Sequence, residues 1–161
     1  MNKKIIINSK PDIKKQNQNW INKDYLLNEK NHIAIINQLY LNEPFEGSKH
    51  VKSELLKKIN SYKQQDIRKN KYNKDAFIEL GDLMGKLVVS KLKCYYCKNQ
   101  LLLLYENKRE MQQWTLDRID NGVGHIAENV VICCLKCNLE RRCIDDKKFL
   151  FTKQMRLIKK I

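Results

Sequence analysis

Apolar positions divide the chain into stretches of different period. Between residues 76 and 92, Phe77, Leu80, Met84, Leu87 and Val88 recur at steps of three and four, which predicts a helix with Asp75 as its N-cap. Gly81 and Gly85 each cost that helix about 1 kcal/mol against alanine, so packing must hold it. Residues 49–69 predict a second helix, with Val51, Leu55, Leu56 and Ile59 on one face and Lys52, Lys57 and Lys58 on the rest. Its continuation, residues 63–74, is nearly all polar and predicts a frayed end or a linker. Residues 1–47 hold only short apolar clusters, Ile5 to Ile7 and Ile33 to Ile36. They predict a polar, partly disordered N-terminal arm with one helix at 30–41 using Ile33, Ile36 and Tyr40, ending at Pro44 and Gly47. Beyond residue 92 the apolar runs shorten. Residues 101–105, 113–119 and 129–133 are β-prone, and Asp120-Asn121-Gly122 marks a turn between the last two. Helices are predicted at 138–144 and at 147–159, the latter capped by Asp145 or Asp146, with Phe151, Met155 and Ile158 on one side. The pattern is that of an α+β chain in three parts: an arm at 1–47, a helical basic region at 48–92 and a mixed module at 93–161.

Charge adds a partner class. The 161 residues carry 32 Lys and Arg against 18 Asp and Glu, a net charge of +14. Such an excess favours a polyanion, and DNA or RNA is the natural one. The strong preference for Lys over Arg, with many Asn, is also what a biased nucleotide composition produces, so charge alone argues for affinity and not for a reaction. No apolar run approaches the roughly 20 residues needed to span a bilayer. The basic start Met1-Asn2-Lys3-Lys4 leads into too short an apolar stretch for a signal peptide. The expectation is an intracellular protein with no membrane partner, whose thiols stay reduced.

Six cysteines then become informative. Cys94-Tyr95-Tyr96-Cys97 and Cys134-Leu135-Lys136-Cys137 are two C-x-x-C pairs, the spacing of a four-thiolate Zn2+ site. Four thiolates close the tetrahedral shell, so the metal is structural. The 36 residues between the pairs exceed a common zinc spacing, so the ion staples the ends of a segment with its own structure. Cys133 and Cys143 fall outside the pattern and predict small buried apolar residues.

The segment between and around the pairs holds Leu116-Asp117-Arg118-Ile119-Asp120-Asn121, Gly124-His125, Asn129-Val130-Val131 and Cys137-Asn138. With the two C-x-x-C pairs, this resembles the ββα-metal module of HNH endonucleases. It is most similar to the Leu-Asp-Arg-Ile-Asp-Asn variants of phages and large DNA viruses. The resemblance covers about residues 91–145. It implies an HNH-like fold and hydrolysis of DNA phosphodiesters with a catalytic Mg2+ or Mn2+, an ion suited to oxygen ligands. On this resemblance Asp117 and Asn138 supply those oxygens, and Asn129 bonds backbone across the turn between the strands and keeps the loop's shape. The usual Asp-His is here Asp117-Arg118. Arg118 accepts no proton, so it is read as a phosphate clamp. His125, seven residues on, is the candidate general base. Lys136, Arg141, Arg142 and Lys147 are candidate phosphate contacts. The competing reading is a non-catalytic zinc module that binds nucleic acid, with Arg118 marking the lost activity. Target sequence and oligomeric state are not legible in the chain.

Overall fold

A computed structural model describes residues 20–155. Six helices and one two-stranded sheet run in the order α1 (Lys23–Leu27), α2 (His32–Tyr40), α3 (Ser48–Arg68), α4 (Leu80–Val89), β1 (Trp114–Arg118), β2 (Val130–Cys134), α5 (Leu135–Arg141) and α6 (Asp146–Gln154). Residues from all three predicted parts share one buried cluster, from Leu26 and Ile35 through Val51, Leu55 and Leu83 to Trp114, Leu116 and Phe149.

The first part departs most from the sequence pattern. Residues 20–47 are not a polar arm: Leu26, Ile35, Ile36 and Leu39 are fully buried, while Ile33 and Tyr40 face solvent. The buried stripe of α2 is 32, 35, 36 and 39, a regular helical face whose first member is a histidine. His32 is polar and hides the stripe from a hydrophobicity count. Inside, it is fully satisfied, with Nε2 3.0 Å from the Leu26 carbonyl and Nδ1 accepting the Leu103 N–H at 3.1 Å. Residues 1–19, including Ile5 to Ile7, lie outside the described residues.

Gly47 is the N-cap of α3, and its φ of +91° is a left-handed value that suits glycine. A Cβ there would also stand 2.7 Å from the Leu26 side chain. Val51, Leu55 and Ile59 are buried on one face, whereas Leu56 is exposed. The helix does not fray after residue 63. It runs to Arg68 because Asp66, near its end, is buried and bonded to the loop at the His125 backbone N–H and ring. Lys58 crosses from α3 to β1, lying 4.1 Å over the Trp114 ring and donating to the Gln113 side chain at 2.9 Å.

α4 begins at Leu80, four residues later than predicted. Its cap is Glu79, whose N–H is accepted by the Asp82 carboxylate at 3.1 Å, so Asp75 is not the cap. Leu83 and Leu87 face the core. The small residue at 85 admits the Tyr40 ring of α2 to 3.6 Å of where a Cβ would stand.

Residues 101–105 are buried at Leu101, Leu103 and Leu104 but form no strand. Their backbone groups are spent on side chains and single bridges: Leu103 N–H goes to His32, Leu103 C=O takes the Trp114 indole N–H at 3.1 Å, and Leu102 bridges Gln113. The strands predicted at 113–119 and 129–133 are present as β1 and β2, antiparallel, with Asp117 opposite Val131 and Trp114 opposite Cys134. α5 follows β2 without a loop, three residues earlier than predicted. α6 is capped by Asp145, which accepts the Lys148 N–H at 3.0 Å. Its buried apolar residue is Phe149, edge-on to Tyr96 at 4.9 Å; Phe151 is 68 % exposed, and Ile158 lies outside the described residues.

Candidate functional site

Four cysteines come together at one end of the hairpin. The sulfurs of Cys94, Cys97, Cys134 and Cys137 all lie within 4.8 Å of one another, and Cys97 Sγ is 3.9 Å from Cys134 Sγ. A tetrahedral Zn–S bond of about 2.3 Å places sulfurs about 3.8 Å apart, so the set has the size and chemistry to hold a metal such as zinc. Local folding explains the gathering. Cys94 opens a tight turn that returns at Asn99, with Lys98 in a left-handed conformation, φ 61°. Cys134 is the N-cap of α5, and its sulfur accepts the Cys137 N–H at 3.3 Å. The Cys134 N–H in turn points at Cys94 Sγ, 3.3 Å away. Sulfurs this close share protons: hydrogen bonds from the thiols of Cys134 and Cys137 pull Cys94 down, and the contacts of Cys137 with Cys134 and Cys94 push it up. A bound dication removes that conflict by taking four thiolates. Cys133 is buried beside the cluster and meets the Thr115 hydroxyl at 3.3 Å, whereas Cys143 is exposed.

β1 carries the next group. Asp117 and Thr115 alternate onto the face that α5 covers. Asp117 is 5 % exposed; Tyr96 donates its O–H to Oδ2 at 2.6 Å, and Arg141 donates to Oδ1 at 3.2 Å. Burial raises the Asp117 pKa, and the Tyr96 hydrogen bond and the Arg141 charge oppose that rise. Asn138 lies on the same side, its Nδ2 donating to Thr115 Oγ1 at 3.1 Å and to the Leu116 carbonyl at 3.3 Å. Its Oδ1 has no protein partner among the described residues, which leaves that oxygen available.

Arg141 is not a surface phosphate contact. It is 1 % exposed and closes the strand end, donating to the Arg118 and Ile119 carbonyls at 2.8 and 2.9 Å as well as to Asp117. Its Nε is sealed without a partner. Helical spacing explains the error: three residues after Asn138, position 141 sits on the same inward face of α5.

His125 lies at the other flank of β1. Its ring packs on Tyr62 of α3 at 4.7 Å between centroids, and the Tyr62 hydroxyl accepts the Leu116 N–H at 3.0 Å. Asp66 holds the residue at two points, Oδ1 to Nδ1 at 2.8 Å and Oδ2 to the backbone N–H at 2.6 Å. Burial lowers the His125 pKa, and the charges of Arg118 and Lys69 add to that while the Asp66 hydrogen bond opposes it. The imidazole is therefore neutral at neutral pH. The His125 side chain is 4 % exposed, and its Nε2 has no hydrogen-bond partner among the described residues. Asn129 shapes this loop with its whole amide. Oδ1 accepts the Asp120 N–H at 2.9 Å, and Nδ2 donates to the Asp120 and Gly124 carbonyls at 2.9 and 3.1 Å.

No protein-family profile, curated protein or solved structure matches the chain.

Cations converge on the same loop. Arg118 reaches the Val123 carbonyl at 3.4 Å, Lys71 donates to the Asn121 carbonyl, and the Asn121 side chain donates to the Arg142 carbonyl at 3.1 Å. Lys69 is close enough to act on His125. Lys136, Arg142 and Lys147 are exposed; of these only Arg142 contacts the loop among the described residues, and it does so through its backbone carbonyl. Asp66, Tyr62, Lys69 and Lys71 were missed by sequence reasoning because they lie about 50–60 positions upstream. One signal was available: Asp66 is the single acid between Glu54 and Asp75, in a run of lysines and amides.

Proposed function

We propose that the chain is an HNH-type endonuclease that hydrolyses DNA phosphodiesters with a divalent cation. The observation that carries the reading is His125: a neutral imidazole, gripped at Nδ1, with Nε2 unpartnered among the described residues, in a loop that Arg118, Lys69 and Lys71 approach. In this reading these three cations bind the backbone phosphate and orient it for in-line attack. Nε2 takes a proton from the attacking water. Asp117 and the Asn138 side-chain oxygen would hold Mg2+ or Mn2+, which when bound offsets the charge that develops on the phosphate and the leaving oxygen. The carboxylate and the amide have the right chemistry and lie on one face of the hairpin. Arg141, however, stands against Asp117 Oδ1, so the cation has to compete with a guanidinium for that oxygen. The four-cysteine centre fixes the start of α5, and with it Asn138, which immediately follows Cys137.

That same competition favours the second reading, a non-catalytic nucleic-acid-binding module. One assay separates the two. Supercoiled plasmid is incubated with wild type, Asp117→Asn and His125→Gln in Mg2+ or Mn2+, with DNA affinity measured in parallel. The nuclease reading requires nicked or linear product from wild type, at least about 100-fold less from either variant, and unchanged affinity. Binding without product in either metal establishes the second reading.

A further inference from the structure

We propose that Asp66 is the positioning residue for His125: it fixes the imidazole as the Nδ1–H tautomer so that Nε2 presents its lone pair. The proposal rests on His125 as the base. Asp66 belongs to α3, outside the segment from 91 to 145 that the resemblance covers, so nothing in the module itself announces it.

The geometry distinguishes a tautomer lock from a simple anchor. An ionised carboxylate only accepts hydrogen bonds. Oδ2 is committed to the His125 backbone N–H, and that bond orients the carboxylate so that Oδ1 faces Nδ1 at 2.8 Å. The ring nitrogen on that side must therefore carry the proton. Asp66 is 1 % exposed, so water does not replace it. Tyr62 packs against the ring, tilted at 38°, and resists its rotation. Gly124 permits the approach: a Cβ there would lie 2.4 Å from the Lys71 carbonyl oxygen and 2.8 Å from Asp66 Oδ2. Asn129 holds the Gly124 carbonyl from the opposite side. Nδ1 and the backbone N–H are tied by Asp66, and Nε2 has no hydrogen-bond partner among the described residues.

The chemistry follows. As the water oxygen forms its bond to phosphorus, one water proton moves to Nε2 and the P–O ester bond breaks, its electron pair leaving with the departing oxygen, which takes a proton from solvent. His125 becomes an imidazolium whose Nδ1–H remains on Asp66, and the carboxylate stabilises the positive charge at the moment it forms. Without Asp66, burial and the charges of Arg118 and Lys69 would leave the imidazole a weaker base.

The test is Asp66→Asn in the full chain. The Asn oxygen keeps the bond to the backbone N–H, which turns the amide NH2 toward Nδ1 and moves the ring proton to Nε2. Ring 15N shifts from long-range 1H–15N correlation should show Nδ1 protonated in wild type and Nε2 protonated in the variant. Turnover should fall about 10²–10⁴-fold while KM and DNA affinity stay within about twofold. The wild-type ring spectrum needs no variant, so a misfolded Asp66→Asn does not block the test. A wild-type ring protonated at Nε2 overturns the lock. So does an Asp66→Asn protein that cleaves at the wild-type rate, or one whose KM and affinity collapse while turnover holds. A wild type with Nδ1 protonated that leaves DNA intact overturns the catalytic role and the nuclease reading together, and is recognised by that combination.

Discussion

A buried ion pair and a buried histidine show how single side chains set the energetics of this protein. Arg141 and Asp117 form an ion pair that is almost wholly out of water, 1 % and 7 % exposed at the side chain. Such pairs add little over a well-packed apolar replacement, but removing one partner strands the other. Arg141→Met keeps the stem volume and leaves Asp117 buried with Tyr96 alone, and it frees the Arg118 and Ile119 carbonyls. Urea unfolding should show a loss of about 3–5 kcal/mol, part of it recovered in Arg141→Met with Asp117→Asn. A loss below about 1 kcal/mol would mean the pair does not clamp the hairpin. His32 offers the complementary case. Its two nitrogens are donor to Leu26 C=O and acceptor from Leu103 N–H, a pattern only the neutral ring can satisfy. Burial lowers its pKa, and burial lowers that of His125 too. The sign is set by linkage: below about pH 6.5 the unfolded chain binds protons that the native chain refuses. Stability is therefore full above that pH and falls as the solution is acidified toward the native pKa values. Unfolding midpoints at pH 7.5 and pH 5 should differ, and His32→Gln should shrink the difference. An unchanged pH dependence in that variant would remove His32 from the account.

At the level of elements, the decisive joint is the one between β2 and α5. The strand ends on Cys134, the helix starts on the next residue, and the sulfur of the last strand residue caps the helix. A seven-residue helix has little stability of its own, since helices this short are marginal in water. The two C-x-x-C turns supply what the helix lacks. Stripping the protein with a chelator, or changing Cys97 to Ser, should lower the melting temperature and loosen Asn138 and Arg141 together, because both are carried by α5. Amide exchange is the direct readout: protection of residues 135–141 should fall first, with α3 following later. Equal protection with and without metal would make the four-cysteine cluster incidental. The same joint explains what sequence reasoning reached. C-x-x-C spacing, the turn at Asp120-Asn121-Gly122 and the Val130 to Ile132 run are local signals, each legible within a few consecutive residues. The elements it missed depend on distant partners. The α2 stripe was hidden because its first inward residue is a histidine whose partners, Leu26 and Leu103, must be brought to it. The apolar run at 101–105 looked like a strand because burial was legible, whereas the destination of its backbone bonds was not.

The whole molecule brings a basic helix end and the hairpin loop into one site. Nothing in the spacing from Asp66 to His125 suggests contact, yet the tether carries the last turn of α3 to the loop, and with it Arg68, Lys69 and Lys71. Net charge alone, +14, predicts affinity for any polyanion. The fold makes a narrower prediction, because it brings Arg118, Lys69 and Lys71 to the loop that carries His125, while Lys136 and Lys147 are exposed and make no contact with that loop among the described residues. Each phosphate contact that is lost reduces the slope of log K against log salt by about 0.9 on duplex DNA. Lys69→Gln with Lys71→Gln should therefore flatten the slope by nearly two and weaken binding at low salt. Lys136→Gln with Lys147→Gln removes the same formal charge and should change the slope by well under one. Fluorescence anisotropy across a salt series measures both. Equal slopes for the two double variants would mean that DNA responds to net charge and not to these cations. A flattened slope for the first pair alone would locate the phosphate path over the α3 end and the 120–125 loop, within reach of His125 Nε2.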